Sequence, residues 1–91
     1  MNTIKVLVVE DDDRVRYVQI KALKKANIDA YEACCAREAL EILHSHRDIH
    51  YIIIDIGLSD INGIASLTNT AHSLGISRSS LQRKIEKYQI R

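Results

Sequence analysis

The chain predicts an α/β fold, a parallel sheet with its strands in the order 2-1-3, and three observations carry that prediction. Two β-branched apolar runs, Val6–Val9 and Tyr51–Ile54, stop abruptly at carboxylates, Glu10 and Asp55, which is how strands buried on both faces read. Two stretches between them repeat apolar residues at helical spacing. The alternation strand, helix, strand, helix, strand then calls for right-handed crossovers, with helices covering the sheet.

The elements follow in order. The first strand is predicted over Ile4–Val9 and runs into Glu10-Asp11-Asp12-Asp13, where Asp12 or Asp13 caps the next helix and the acids face its positive end. Val15, Val18, Ala22 and Ala26, flanked by Leu23, mark a helix over roughly Asp13–Ala26, with Lys21, Lys24 and Lys25 near its C-terminus. Asp29–Ala33 is a short second strand. Arg37–His46 is a second helix with Ala39, Leu40, Ile42 and Leu43 on its apolar side, and Tyr51–Asp55 is the third strand. Gly57, Ser59, Asp60, Asn62 and Gly63 mark the loop after it. Beyond Gly63 the pattern changes. Ser66–Leu74 predicts a helix with Leu67, Ala71 and Leu74 on one face, Gly75-Ile76-Ser77 a turn, and Arg78–Tyr88 a helix with Leu81, Ile85 and Tyr88 inward. Gly75 suits the left-handed residue that ends one helix and Ser77 the cap of the next, so residues 65–91 form a helix-turn-helix candidate.

Composition limits the function. The 91 residues are 46% hydrophobic and 27% charged, with three glycines and no proline, as in a folded chain too short for a large multi-domain enzyme. No apolar run is long enough to span a bilayer, no secretory signal is expected at Met1–Lys5, and the adjacent Cys34 and Cys35 read as reduced thiols of a cytoplasmic protein. A net charge of +1 hides a split: residues 1–64 hold 8 Lys+Arg against 11 Asp+Glu, whereas residues 65–91 hold 5 Lys+Arg against one Glu. The acidic part suits a cation or a phosphoryl-transfer pocket, and the basic part a phosphate backbone. His44, His46 and His50 read as a solvated helix end and loop, since no cysteine or acid completes a metal set.

The strand ends carry the chemistry. Ligands of open parallel sheets bind beyond the carboxyl ends of the strands, where Glu10, Asp11 and Asp55 converge. Three such carboxylates repel one another unless a cation intervenes, and oxygen donors select a hard ion such as Mg2+. A carboxylate beside that ion can also be the nucleophile that accepts a phosphoryl group. No general base or second nucleophile accompanies the acids, so no further enzyme activity is expected.

Val6-Leu7-Val8-Val9-Glu10-Asp11-Asp12, Arg16, Ala39-Leu40 and Ile52-Ile53-Ile54-Asp55-Ile56-Gly57-Leu58-Ser59-Asp60-Ile61-Asn62-Gly63 resemble the receiver domain of two-component response regulators over about residues 4–64. The resemblance implies a truncated flavodoxin-like, CheY-like sheet. It makes Asp55 the phospho-acceptor, Glu10 and Asp11 the acidic pair that holds Mg2+, the Gly57 carbonyl a further metal ligand, and a sensor histidine kinase the phosphoryl donor. Ser59 stands where the family normally has proline, and Ala36 where glycine is common. Receivers have five strands, with a hydroxyl residue ending the fourth and a lysine ending the fifth. With the remaining residues spent on two helices, strands 4 and 5 are not expected, those roles stay unassigned, and the bare edge of strand 3 is expected to pair with a second copy.

The segment from Leu67 to Tyr88 resembles the Fis-type helix-turn-helix that ends NtrC-type and RegA/PrrA/ActR-type regulators. A recognition helix sets its N-terminal residues on base edges in the major groove. Arg78 and Arg83 are therefore assigned to DNA contact, Ser80 and Gln82 to further base or phosphate contacts, and Thr68 and Lys84 to phosphate. The expected whole is a partial receiver over 1–64 and a DNA-binding segment over 65–91, a phosphorylation-switched transcriptional regulator. The alternative is a DNA-binding or dimerisation module whose receiver half is an unphosphorylated scaffold.

Overall fold

The computed structural model of the chain describes residues 4–55 and 61–80. Seven elements alternate in order: β1 (Lys5–Glu10), α1 (Asp13–Lys25), β2 (Asp29–Ala33), α2 (Ala36–Ser45), β3 (Tyr51–Asp55), α3 (Ile61–Ser73) and β4 (Ser77–Ser80). The strands form one sheet of order β2-β1-β3-β4, parallel throughout, with Val9 opposite Ala33 and Ile54, and Glu10 opposite Asp55.

β1 lies second in the sheet with neighbours on both sides, and Val6 through Glu10 are all buried, which explains its unbroken apolar run. β2 lies at the edge and buries only Ala33. Side chains alternate faces along a strand, so Leu7 and Val9 of β1 and Ile52 and Ile54 of β3 join Ala36, Ala39 and Leu43 of α2 and Leu67 and Ala71 of α3 in the main core. Val6, Val8 and Glu10, with Ile53 and Asp55, belong to the opposite face, where α1 packs on β1 and β2.

Local signals set the helix limits. The Asp12 side chain caps α1 by accepting from the N–H groups of Arg14 (2.9 Å) and Val15 (3.3 Å). At the other end Asn27 takes a left-handed φ of 62°, while Asn27 N–H donates to the Lys24 carbonyl and Ile28 N–H to that of Leu23, a Schellman stop with asparagine in the glycine position. α3 ends the same way: Gly75 has φ 73°, Gly75 N–H donates to His72 and Ile76 N–H to Ala71.

Four expectations need correction. α1 buries no residue fully, and Val18 stands 64% exposed, because Val15, Arg16, Gln19, Ile20 and Leu23 are the side chains it turns partly inward. α3 begins at Ile61 and runs unbroken through residues 64 and 65, so the helix predicted over Ser66–Leu74 is the second half of a longer crossover helix. A fourth strand is present: Ser77–Ser80, read as a turn and the start of a recognition helix, pair in parallel with β3, Tyr51 opposite Ser77 and Ile54 opposite Ser80. The reason is tertiary, since serines favour a helix start locally but the open edge of β3 offers a row of backbone donors and acceptors. The same pairing covers the β3 edge, so a second copy has no bare strand there to join. The rest of the predicted recognition helix, with Gln82, Arg83 and Lys84, lies outside the described residues.

Candidate functional site

Glu10 and Asp55 end neighbouring strands in register, and both are buried, at 0% and 1% exposure. Their position follows from strand period: each is the last residue on the α1 face of its strand. The chain then turns. Asp12 N–H donates to Glu10 Oε2 at 2.8 Å, folding the acidic run back over the strand end, and Asp11 at the bend is exposed. Among the described residues, two buried carboxylates and an exposed third thus share one end of the sheet.

Two α1 side chains complete this end. Gln19 Nε2 donates to Asp55 Oδ2 at 3.4 Å. Arg16 Nη1 donates to the Glu10 carbonyl at 2.8 Å, while Nη2 reaches Asp13 at 2.6 Å and Nε reaches Glu32 at 3.1 Å. The Asp13 hydrogen bond, followed by Glu32, holds the guanidinium even more firmly protonated than usual, against the cost of burial. Arg16 therefore ties the ends of β1 and β2 to the first turn of α1 with a permanent charge. An open groove of about 450 Å³ runs along α1 past Asp12, Arg14, Val15, Val18 and Gln19. Gln19 was not legible as a site residue, because its only sequence signal is a place on α1.

The donor set fits a hard divalent cation. Carboxylate oxygens alone suit Mg2+ better than a soft metal. Glu10, Asp11 and Asp55 would hold it. Gly57 and the departure at Ser59 lie outside the described residues, whereas Ala36, the other departure, is buried as the first residue of α2.

The remaining predicted residues are placed as follows. Thr68 lies half-buried on α3. Arg78 and Ser80 are strand residues, opposite Ile52 and Ile54. At the end of β2, Glu38 accepts the Cys34 N–H at 3.0 Å. That bond, with the thiol's own, holds the Glu38 carboxyl below its usual range, and the carboxylate in turn pushes the Cys34 thiol up.

The receiver-domain profile of response regulators matches residues 6–75, and the chain belongs to that family. It is 36% identical over 83 residues to the cyclic di-GMP phosphodiesterase RocR of Pseudomonas aeruginosa, spanning 85% of this chain but only 21% of that protein. Among solved structures, a response regulator receiver protein from Pseudomonas putida superposes with a TM-score of 0.61 at 26% identity, over 99% of this chain and 95% of that one. The MaeR response regulator bound to beryllium trifluoride has the same fold, with a TM-score of 0.70 at 24% identity, over 87% of this chain and 66% of that one. Among the described residues no helix is long and apolar enough to cross a membrane.

Proposed function

We propose that the chain is a phosphorylatable receiver of a cytoplasmic two-component system, with Asp55 as phospho-acceptor and a sensor histidine kinase as donor. The observation that carries this reading is the register pairing of buried Glu10 and Asp55 at the carboxyl end of the sheet. Mg2+, held by Glu10, Asp11, Asp55 and the Gly57 carbonyl, would neutralise charge on the attacking oxygen and on the phosphoryl group. An Asp55 carboxylate oxygen attacks the phosphorus of a phosphohistidine; the P–N bond breaks, an acyl phosphate forms, and the imidazole leaves with its electron pair and takes a proton. Gln19 orients the Asp55 carboxylate from α1, and Arg16 fixes the strand end beneath Glu10.

The test is an amide correlation spectrum of the labelled chain, recorded alone and with Mg2+ and beryllofluoride. Peaks of Glu10, Asp11 and Asp55 are expected to shift together in the wild type and stay still in Asp55→Asn. A folded wild-type chain whose spectrum ignores both additions would sink the reading and leave the receiver half as scaffold.

A second reading concerns output. The surplus of 5 Lys+Arg over one Glu in residues 65–91 and the Leu67–Tyr88 resemblance favour DNA binding and control of transcription, with the functional division placed after residue 64. Contact by Arg78, Ser80, Gln82, Arg83, Lys84 and Thr68 requires residues 77–80 to leave β4 and become helical. Chemical shifts of these residues, with and without duplex DNA, decide it. Helical shifts on DNA, with a salt slope that falls by about 1 in Arg83→Ala, are expected if this segment reads DNA; extended shifts in both states exclude it.

A further inference from the structure

We propose that Cys34, Cys35 and Glu38 form a binding site for a thiophilic divalent cation, Zn2+ being the natural occupant. Their Sγ and carboxylate oxygen atoms all lie within 4.8 Å of one another. In a tetrahedral zinc site with bonds of about 2.0–2.3 Å, neighbouring donors stand roughly 3.5–3.8 Å apart, so small side-chain rotations close the set. The site shares no residue with the Asp55 pocket and does not rest on its phosphorylation.

Backbone and packing hold the three donors together. Ala33, the last residue of β2, and Ala36, the first of α2, are buried at 1% and 2% exposure, which pins both ends of a connection made of the two cysteines alone. Cys35 occupies the cap position of α2 in extended conformation, and its side chain makes no capping bond. Glu38, one turn along, folds back to accept the Cys34 N–H at 3.0 Å, so its carboxylate is already turned onto the thiols. The positive end of α2 favours the anionic ligands.

The donor chemistry sets the ligand class. Two thiolates and one carboxylate select Zn2+ over Mg2+, in contrast to the all-oxygen set at Glu10, Asp11 and Asp55. On binding, two S–H bonds break, their protons pass to solvent, and two metal–sulfur bonds and one metal–oxygen bond form. Three protein ligands leave the fourth position for water.

The test is titration of the reduced full-length chain with Cd2+, read by the near-ultraviolet thiolate-to-metal absorption, followed by competition with Zn2+. The band is expected to saturate at one ion per chain and to disappear as Zn2+ displaces Cd2+. Cys34→Ser and Cys35→Ser should each lower its intensity, and Glu38→Gln should keep the band but weaken affinity at least about tenfold, the scale on which even outer-shell partners act. Asp55→Asn should leave the titration unchanged. A band that never saturates, one ion per two chains, or a Glu38→Gln titration identical to wild type would each overturn the proposal. Thiol modification of the wild-type chain gives a check free of variants: Zn2+ should slow reaction at both cysteines, and an unchanged rate counts against the site.

Discussion

Lys5 shows how single residues position the sheet without entering its chemistry. Its ammonium lies 3.2 Å from Asp48 and 3.9 Å from Asp29, and Tyr31 donates its hydroxyl to Asp48 at 3.2 Å, joining the starts of β1 and β2 to the segment before β3. The Asp48 hydrogen bond raises the Lys5 pKa. Burial pushes the Asp48 carboxyl up, but hydrogen bonds from Lys5, its own backbone and Tyr31 outweigh that and leave it below its usual value. A depressed carboxyl contributes stability above its unfolded pKa that disappears as pH falls through the folded one; a raised lysine contributes below its unfolded pKa and loses it as pH rises through the folded one. Asp48→Asn is therefore expected to flatten both the acid and the alkaline limb of a urea stability profile. Unchanged limbs would show the pair to be solvent-screened. At this scale Glu10, Asp11 and Asp55 were legible because acids that end apolar runs must gather at one end of a parallel sheet. Gln19 and the anchoring bonds of Arg16 were not, because they depend on the angle at which α1 crosses the sheet.

Among the elements, the helix stops were readable and their sequel was not. Gly75 ends α3 in the left-handed region, and an added Cβ would meet nothing within 4 Å. Gly75→Ala should therefore cost backbone strain alone, about 1–2 kcal/mol, measured by urea unfolding; no loss would mean that the turn relaxes. The same stop is compatible with a helix or a strand afterwards. Apolar spacing likewise located α1 but mistook its inner face, since helical periodicity identifies a stripe without saying how much of it the sheet covers: Val15 is half-buried whereas Val18 is 64% exposed.

For the whole molecule, the main core lies on one side, between the sheet and α2 with α3. Ile52 is fully buried there at the centre of the pairing of β3 with β1 and β4. Ile52→Ala should cost about 2–5 kcal/mol, enough to unfold much of a domain this small; a calorimetric transition shifted by less than a few degrees would mean that the α2 and α3 side chains refill the space. Because β4 adds itself to β3, this core is closed by a fourth strand that the division into a three-stranded half and a separate tail did not foresee.

The amino-acid order alone determined β1, β2 and β3, the helices between them, their parallel order and the gathering of three acids at one end. These rest on local periodicity, caps and strand alternation, which a short window contains. Only the tertiary structure decided that Ser77–Ser80 become β4, that α3 starts at Ile61, and that Gln19 meets Asp55. Each depends on partners distant in sequence. The backbone groups along β3 are the clearest case: their demand for hydrogen bonds outweighs the tendency of serines to cap and start a helix.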